Sequence, residues 1–277
     1  MKSAFRDNAD RTTSGPRCML VGLSSQSTFR ETAALRYATR LAADNRSVLS
    51  LCVFPSAFDS RAAGARAEEE GQPLASVTLH GAGKFIAHSG VELICEHTAS
   101  EPSTRFAQLA RVHDVSVLDA AEAGEAGREA IEDALFDSGR PVLVIPKHGG
   151  RPEPRRIAVA WDGSARAARA VGDALMFLRS AEMVVAVTVT GEKDLSRMAP
   201  GADLASYLSM HEIDCKLATL AARQADVAER MRLFVAEEDI DMIVMGAFVH
   251  SRFREAILGG VTRSLLDHGP VPLFMSH

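Results

Sequence analysis

Asp239–Gly246, reading DIDMIVMG, is almost wholly apolar from Ile240 to Met245 and ends on a glycine. A strand that is apolar along its whole length needs cover on both faces, as inside a parallel sheet flanked by helices. The residues before it supply such a helix: Gln224–Glu238 places Val227, Met231, Phe234 and Val235 on one side at helical spacing. Beyond it come a helix around Val261–Asp267 and a strand over Val271–Ser276. Upstream, Arg156–Trp161 is an apolar run suited to a buried strand. Gly163-Ser164 then turns the chain into a helix over Ala165–Leu178. Met183–Val189 and Asp214–Leu220 add two strands, separated by a partly helical stretch containing Pro200 and Gly201. Five strands alternating with helices predict an open, largely parallel sheet.

The same order runs through the first half: strand Cys18–Leu23, helix Glu31–Ala43, strands Val48–Phe54 and Val91–His97, helix Ser103–Val112 and strand Val115–Leu118. Leu135-Phe136-Asp137-Ser138-Gly139 before Pro141–Ile145 parallels Leu265-Leu266-Asp267-His268-Gly269 before Val271–Met275. That marks an internal repeat of roughly 130 residues. Lys147–Arg155, KHGGRPEPR, breaks every periodic pattern and reads as an exposed linker. The expected fold class is therefore α/β, with two tandem open, mostly parallel five-stranded sheets carrying helices on both faces. The expected division is a flexible tail over 1–16, a first domain over 17–147, a linker over 148–155 and a second domain over 156–277. Ala57–Ala87, of mixed composition, receives no reading.

At 277 residues with 47% hydrophobic and 24% charged side chains, each half can bury its own core. A net charge of −5 argues against a nucleic-acid or membrane partner held by bulk electrostatics. Cys18, Cys52, Cys95 and Cys215 stand singly, which suits free thiols in a reducing cytoplasm. Met1–Pro16 is polar, with Arg6, Asp7, Asp10 and Arg11 where a secretory signal needs an apolar core, and a cytoplasmic location is expected. Enzyme signatures are weak. Gly83-Lys84 lacks the following Ser or Thr of a P-loop, and Gly22-Leu-Ser24-Ser-Gln26 fails the nucleophile-elbow pattern at its last position. Cys95 and His97 share one side of a strand, but two ligands do not make a metal site.

The segment that suits ligand chemistry is Gly246–Thr262. Gly246 closes a strand and Gly259-Gly260 opens a helix, so both present backbone N–H groups at the carboxyl edge of the sheet. Asp162 falls at the same edge, where open α/β sheets hold their ligands. Each residue also has a plain structural reading. Asp162 or Ser164 could serve as an N-cap, and the glycines could serve tight turns at the strand end and the helix start. Arg252, Arg254 and Arg263 could attract phosphate or simply be solvated.

On these residues the sequence resembles the universal stress protein family. Its nucleotide-binding members carry Gly, two residues, Gly, nine residues, Gly, then Ser or Thr. Here the pattern reads Gly246-Ala-Phe-Val249, nine residues, Gly259-Gly260, within MGAFVHSRFREAILGGVTRSLL. IAVAWDGS, at the start of the second half, is also close to the family. The resemblance implies a tandem two-domain member that binds ATP with magnesium in its second domain. Asp162 would lie near adenine or ribose, Gly246 and Gly259 against the phosphates, and Gly260 at the hydroxyl position. It further implies that the last strands of the two halves pair, with a homodimer as a further assembly. Two positions depart from the pattern. Val249 stands where a second glycine is usual, and a β-branched residue adopts positive φ only at a cost. Gly260 lacks the hydroxyl, which Thr262 could supply.

In the first half Asp119–Arg128, DAAEAGEAGR, is shorter and acidic, and Leu23 or Ser24 stands in the place of Asp162, so no nucleotide site is expected there. The leading expectation is thus a cytoplasmic stress-response or regulatory protein that binds an adenine nucleotide and acts by conformation or through an unidentified protein partner. The alternative is a ligand-free interaction module of the same fold. Weak ATP hydrolysis would need an acid near the phosphates, and Glu255 is the one acid within the loop.

Overall fold

β-Branched and aliphatic runs over Cys18–Ser24 (β1), Val48–Phe54 (β2), Glu92–Thr98 (β3), Val115–Asp119 (β4) and Val142–Ile145 (β5) form the strands of the first half. Its helices are Ala33–Asn45 (α1), Leu74–His88 (α2), Pro102–Ala110 (α3) and Gly124–Asp137 (α4). The second half repeats the order with strands Arg156–Ala160 (β6), Met183–Thr190 (β7), Cys215–Ala221 (β8), Met242–Gly246 (β9) and Leu273–Ser276 (β10). Its helices are Ala165–Leu178 (α5), Gly201–Met210 (α6), Val227–Glu237 (α7) and Gly260–His268 (α8). This computed structural model describes residues 15–26, 28–54, 74–98, 102–120, 124–190, 199–221, 226–247 and 258–277.

The strand order is β3-β2-β1-β4-β5-β10-β9-β6-β7-β8. Each half is a parallel five-stranded sheet in the order expected for a doubly wound fold, and the two are continuous. β5 and β10 pair antiparallel, Phe274 opposite Leu143, Leu273 opposite Val144 and Met275 opposite Val142. The two five-stranded sheets are thereby joined edge to edge through β5 and β10. The join buries what would be an exposed apolar edge in either half alone. Side-chain alternation along the strands feeds two cores. Val21, Val117, Val159 and Val244 pack on one face with α1 and α5, and Leu20, Leu118, Ile243 and Met245 pack on the other with α7 and α8.

Register aligns the halves residue by residue. Asp119 pairs with Ile145 as Gly246 pairs with Ser276. Val21 pairs with Val117 as Val159 pairs with Val244. Asp119 is thereby the counterpart of Gly246, and counting outward from β1 and β6 makes Ser24 the counterpart of Asp162. Helix α2 falls partly in the stretch that sequence reading left blank: with few charges and a mixture of Leu, Ala, Gly and His, it carries a weak periodic signal.

Candidate functional site

β6 and β9 are neighbours, Ala160 standing opposite Met245, and the chain leaves them toward opposite faces. From β6 it enters α5, whose Ala167, Ala170, Val171 and Ala174 join one core. Beyond β9 lies α8, whose Leu265 and Leu266 join the other. Such a divergence opens a crevice at the carboxyl edge of a parallel sheet. Asp162, just beyond β6, and Gly246, the last residue of β9, flank it. Sequence reading put both residues at this edge.

The Asp162 turn is tightly specified. Gly163 adopts φ +71°, a left-handed conformation that suits glycine. Asp162 is half-buried, and its Oδ1 accepts the Ser164 N–H at 3.0 Å. Ser164 is the N-cap of α5, its Oγ accepting the Ala167 N–H at 3.2 Å. Of the two capping readings open for Asp162 and Ser164, the N-cap itself is thus Ser164, with Asp162 bracing it. Trp161, 7% exposed, donates its indole N–H to the Ala199 carbonyl at 2.9 Å, and the Ala199 N–H reaches the Gly163 carbonyl at 3.4 Å. The segment before α6 is therefore tied to this turn.

Gly246 has a packing reason to be glycine. A Cβ there would stand 2.6 Å from the Ala167 nitrogen and 2.7 Å from the Arg166 carbonyl carbon, because the first turn of α5 crosses directly over the end of β9. The next N–H, from Ala247, is taken by the Ser276 carbonyl at 2.8 Å. Gly259 is the N-cap of α8 in extended conformation, with no side chain to close the helix end. Among the described residues, a Cβ at Gly260 would meet nothing within 4 Å. Thr262, 1% exposed, is buried in the first turn of that helix and Arg263 is exposed. Val249, Arg252, Arg254 and Glu255 lie outside the described residues.

At the corresponding place in the first half the chemistry differs. Asp119, 8% exposed, turns its carboxylate into the crevice end of β4, and Oδ1 accepts the Ala34 N–H in the first turn of α1 at 2.7 Å. Sequence reading counted Asp119 among acids hostile to phosphate but missed this contact. Aligning Asp119 with Gly246 through the strand ends would have revealed it. Ser276 and Asp173 were also missed: Ser276 Oγ donates to Asp173 Oδ2 at 2.8 Å, which ties the end of β10 to α5.

Burial, reinforced by Arg166 and Arg169, holds the His277 imidazole below its ordinary pKa. Among the described residues no cluster of three or more His, Cys, Asp or Glu could hold a metal ion. No helix among them is long and apolar enough to cross a membrane.

Fold and crevice together define an open, doubly wound α/β protein made of two tandem halves. Residues 153–277, in the second half, match the model of the universal stress protein family. Solved structures extend the likeness over both halves. The universal stress protein from Archaeoglobus fulgidus DSM 4304 is 16% identical with a TM-score of 0.63, the match covering 94% of this chain and 97% of that one. A putative universal stress protein from Pseudomonas aeruginosa UCBPP-PA14 is 13% identical with a TM-score of 0.60, covering 96% and 95%. The cytoplasmic domain of a prokaryotic cation chloride cotransporter is 12% identical with a TM-score of 0.51, covering 94% of each chain. At these identities the likeness establishes the fold. A search of curated proteins gives no match.

Proposed function

We propose that this is a cytoplasmic stress-response or regulatory protein that binds one adenine nucleotide, ATP with its magnesium, in the crevice of the second half. It acts through conformation or a protein partner instead of turnover. The supporting observation is the placement of Asp162, Gly246 and the Gly259-Gly260 helix start around one switch point of the sheet. Asp162 is an acceptor already held in position by Ser164, and a carboxylate has lone pairs for further donors from adenine or ribose. The glycine-opened end of α8 offers backbone N–H groups and a positive dipole end to phosphate. Isothermal titration with ATP and magnesium tests this: saturable heat near one nucleotide per chain is expected, and no heat at millimolar nucleotide overturns it.

A second reading is favoured by Gly246. The close approach of Ala167 accounts for that glycine without any ligand, which suits an interaction module with both crevices empty. One protein sharing the fold is the cytoplasmic domain of a cotransporter, a role other than that of a free-standing stress protein. Trp161 separates the readings, because it adjoins Asp162 and its indole is tied to Ala199. Its fluorescence changes on nucleotide titration if the crevice fills. A flat response to ATP, ADP and AMP favours the module.

A further inference from the structure

We propose that Asp119 is a built-in anion that closes the crevice of the first half. Resting on the nucleotide reading of the second half, this makes the chain a one-ligand protein. Gly246 and Asp119 each end the strand beside the switch point, and each lies under the first turn of the helix that follows the neighbouring strand.

In the second half that helix rests on bare backbone: the Ala167 nitrogen would be 2.6 Å from a Cβ at Gly246, so no side chain can project there. In the first half α1 is entered through a longer connection after Ser24, and a side chain does project. Its carboxylate accepts the Ala34 N–H at 2.7 Å, with Ala34 fully buried and Asp119 8% exposed. The caps of the two helices are otherwise alike. Thr32 Oγ takes the Leu35 N–H at 3.2 Å, as Ser164 Oγ takes the Ala167 N–H at 3.2 Å. The strand end, not the cap, is thus where these two helix starts differ in their carboxylate partner.

A buried, charge-assisted bond from a carboxylate to a helix N-terminus is of the same kind as one from a phosphate, here made at the start of α1. Asp119 supplies that negative charge covalently. A second anion entering the crevice would have to displace a short hydrogen bond and bear repulsion from a carboxylate at low dielectric. Ser24 at the place of Asp162 puts a neutral hydroxyl where the second half has a carboxylate.

The Ala34 amide is the reporter, followed by NMR in the full-length chain. With MgATP added to the unmodified protein, the Ala34 resonance stays where it is. In Asp119→Gly, which frees the Ala34 N–H and leaves open the space the carboxylate filled, inorganic phosphate shifts it saturably. In Asp119→Asn, which keeps an acceptor oxygen, phosphate leaves it unmoved. If the glycine variant fails to fold, Asp119→Ala takes its place. The proposal is overturned if MgATP or phosphate shifts Ala34 saturably in the unmodified chain. It is equally overturned if Ala34 ignores phosphate in a folded Asp119→Gly or Asp119→Ala protein. A Trp161 indole resonance that ignores MgATP removes the nucleotide site of the second half, while the phosphate response of the glycine variant still decides the role of Asp119.

Discussion

Asp114 and Asp241 perform the same task in the two halves. Asp114 Oδ2 accepts the N–H groups of Arg17 at 2.7 Å and Cys18 at 3.0 Å, and Asp241 Oδ2 accepts those of Arg155 at 2.9 Å and Arg156 at 3.0 Å. Each carboxylate thus clamps the start of the central strand to the strand beside it. Hydrogen bonds to a charged group contribute more than neutral ones, and two share one acceptor here. Asp241→Ala should cost about 2 kcal/mol in urea unfolding, and Asp114→Ala a similar amount. Asp241→Asn, which retains an acceptor, should recover part of the loss.

The second prediction concerns Gly246. If the glycine served only a ligand, alanine would fold as well as the natural residue. The 2.6 Å approach to the Ala167 backbone requires the N-terminus of α5 to move. Overpacking of this kind costs about 1–3 kcal/mol, and Gly246→Ala should fall at or above the top of that range because backbone, not a flexible side chain, is in the way. Chemical denaturation measures it. An unchanged midpoint would show that α5 sits farther from β9. Gly260→Ala serves as the contrast: its Cβ meets none of the described residues within 4 Å, so stability should hold or rise slightly.

Much of this architecture is legible in the amino-acid sequence. Apolar strands such as Ile240–Met245 demand two covered faces, and the repeated Leu-Phe/Leu-Asp endings before β5 and β10 reveal two copies. The continuity of the sheet through β5 and β10 is not set by local periodicity, since either edge would look the same unpaired. It entered the sequence reading only through the family resemblance. At the site, spacing located Asp162, Gly246 and Gly259-Gly260 at one edge, but spacing alone does not separate a glycine kept for a ligand from one kept for a helix overhead. That distinction depends on how closely α5 approaches, a tertiary distance. The same limit hid Asp119, whose significance lies in its contact with Ala34, far away in the chain.

The thiols offer a third test. Cys52 is fully buried, and burial pushes its thiol up to about 12, partly offset by Arg105. Thiolate, not thiol, attacks a disulfide reagent, so Cys52 should be inert in the native protein near neutral pH. Cys95 is exposed on β3, at the edge of the sheet. A native-state titration with an aromatic disulfide reagent should therefore label Cys95 first, and Cys52 only at the rate of unfolding. Rapid labelling of Cys52 in native conditions would mean that the core beneath α3 opens readily. Cys95→Ser should remove the fast phase and leave stability unchanged.

The last prediction follows from His277. Its ring packs edge-on against Phe136 with centroids 5.0 Å apart, and its Nε2 is buried with no hydrogen-bond partner among the described residues. Burial, then Arg166 and Arg169, disfavours the imidazolium in the folded state, while in the unfolded chain the ring titrates near its ordinary value of about 6.5. The unfolded state therefore binds more protons between the folded pKa and that ordinary value, and stability rises with pH across the window. The contribution is complete above about pH 6.5 and is lost as the pH falls through the lower, folded value. His277→Gln cannot titrate, so the difference in melting temperature between the two proteins should narrow on acidification as the native protein loses its advantage. Carboxylates shared by both proteins cancel in that difference. A gap that widens from pH 7.5 to 5 would reverse the sign and place a stabilising negative partner beside His277 in place of the two arginines.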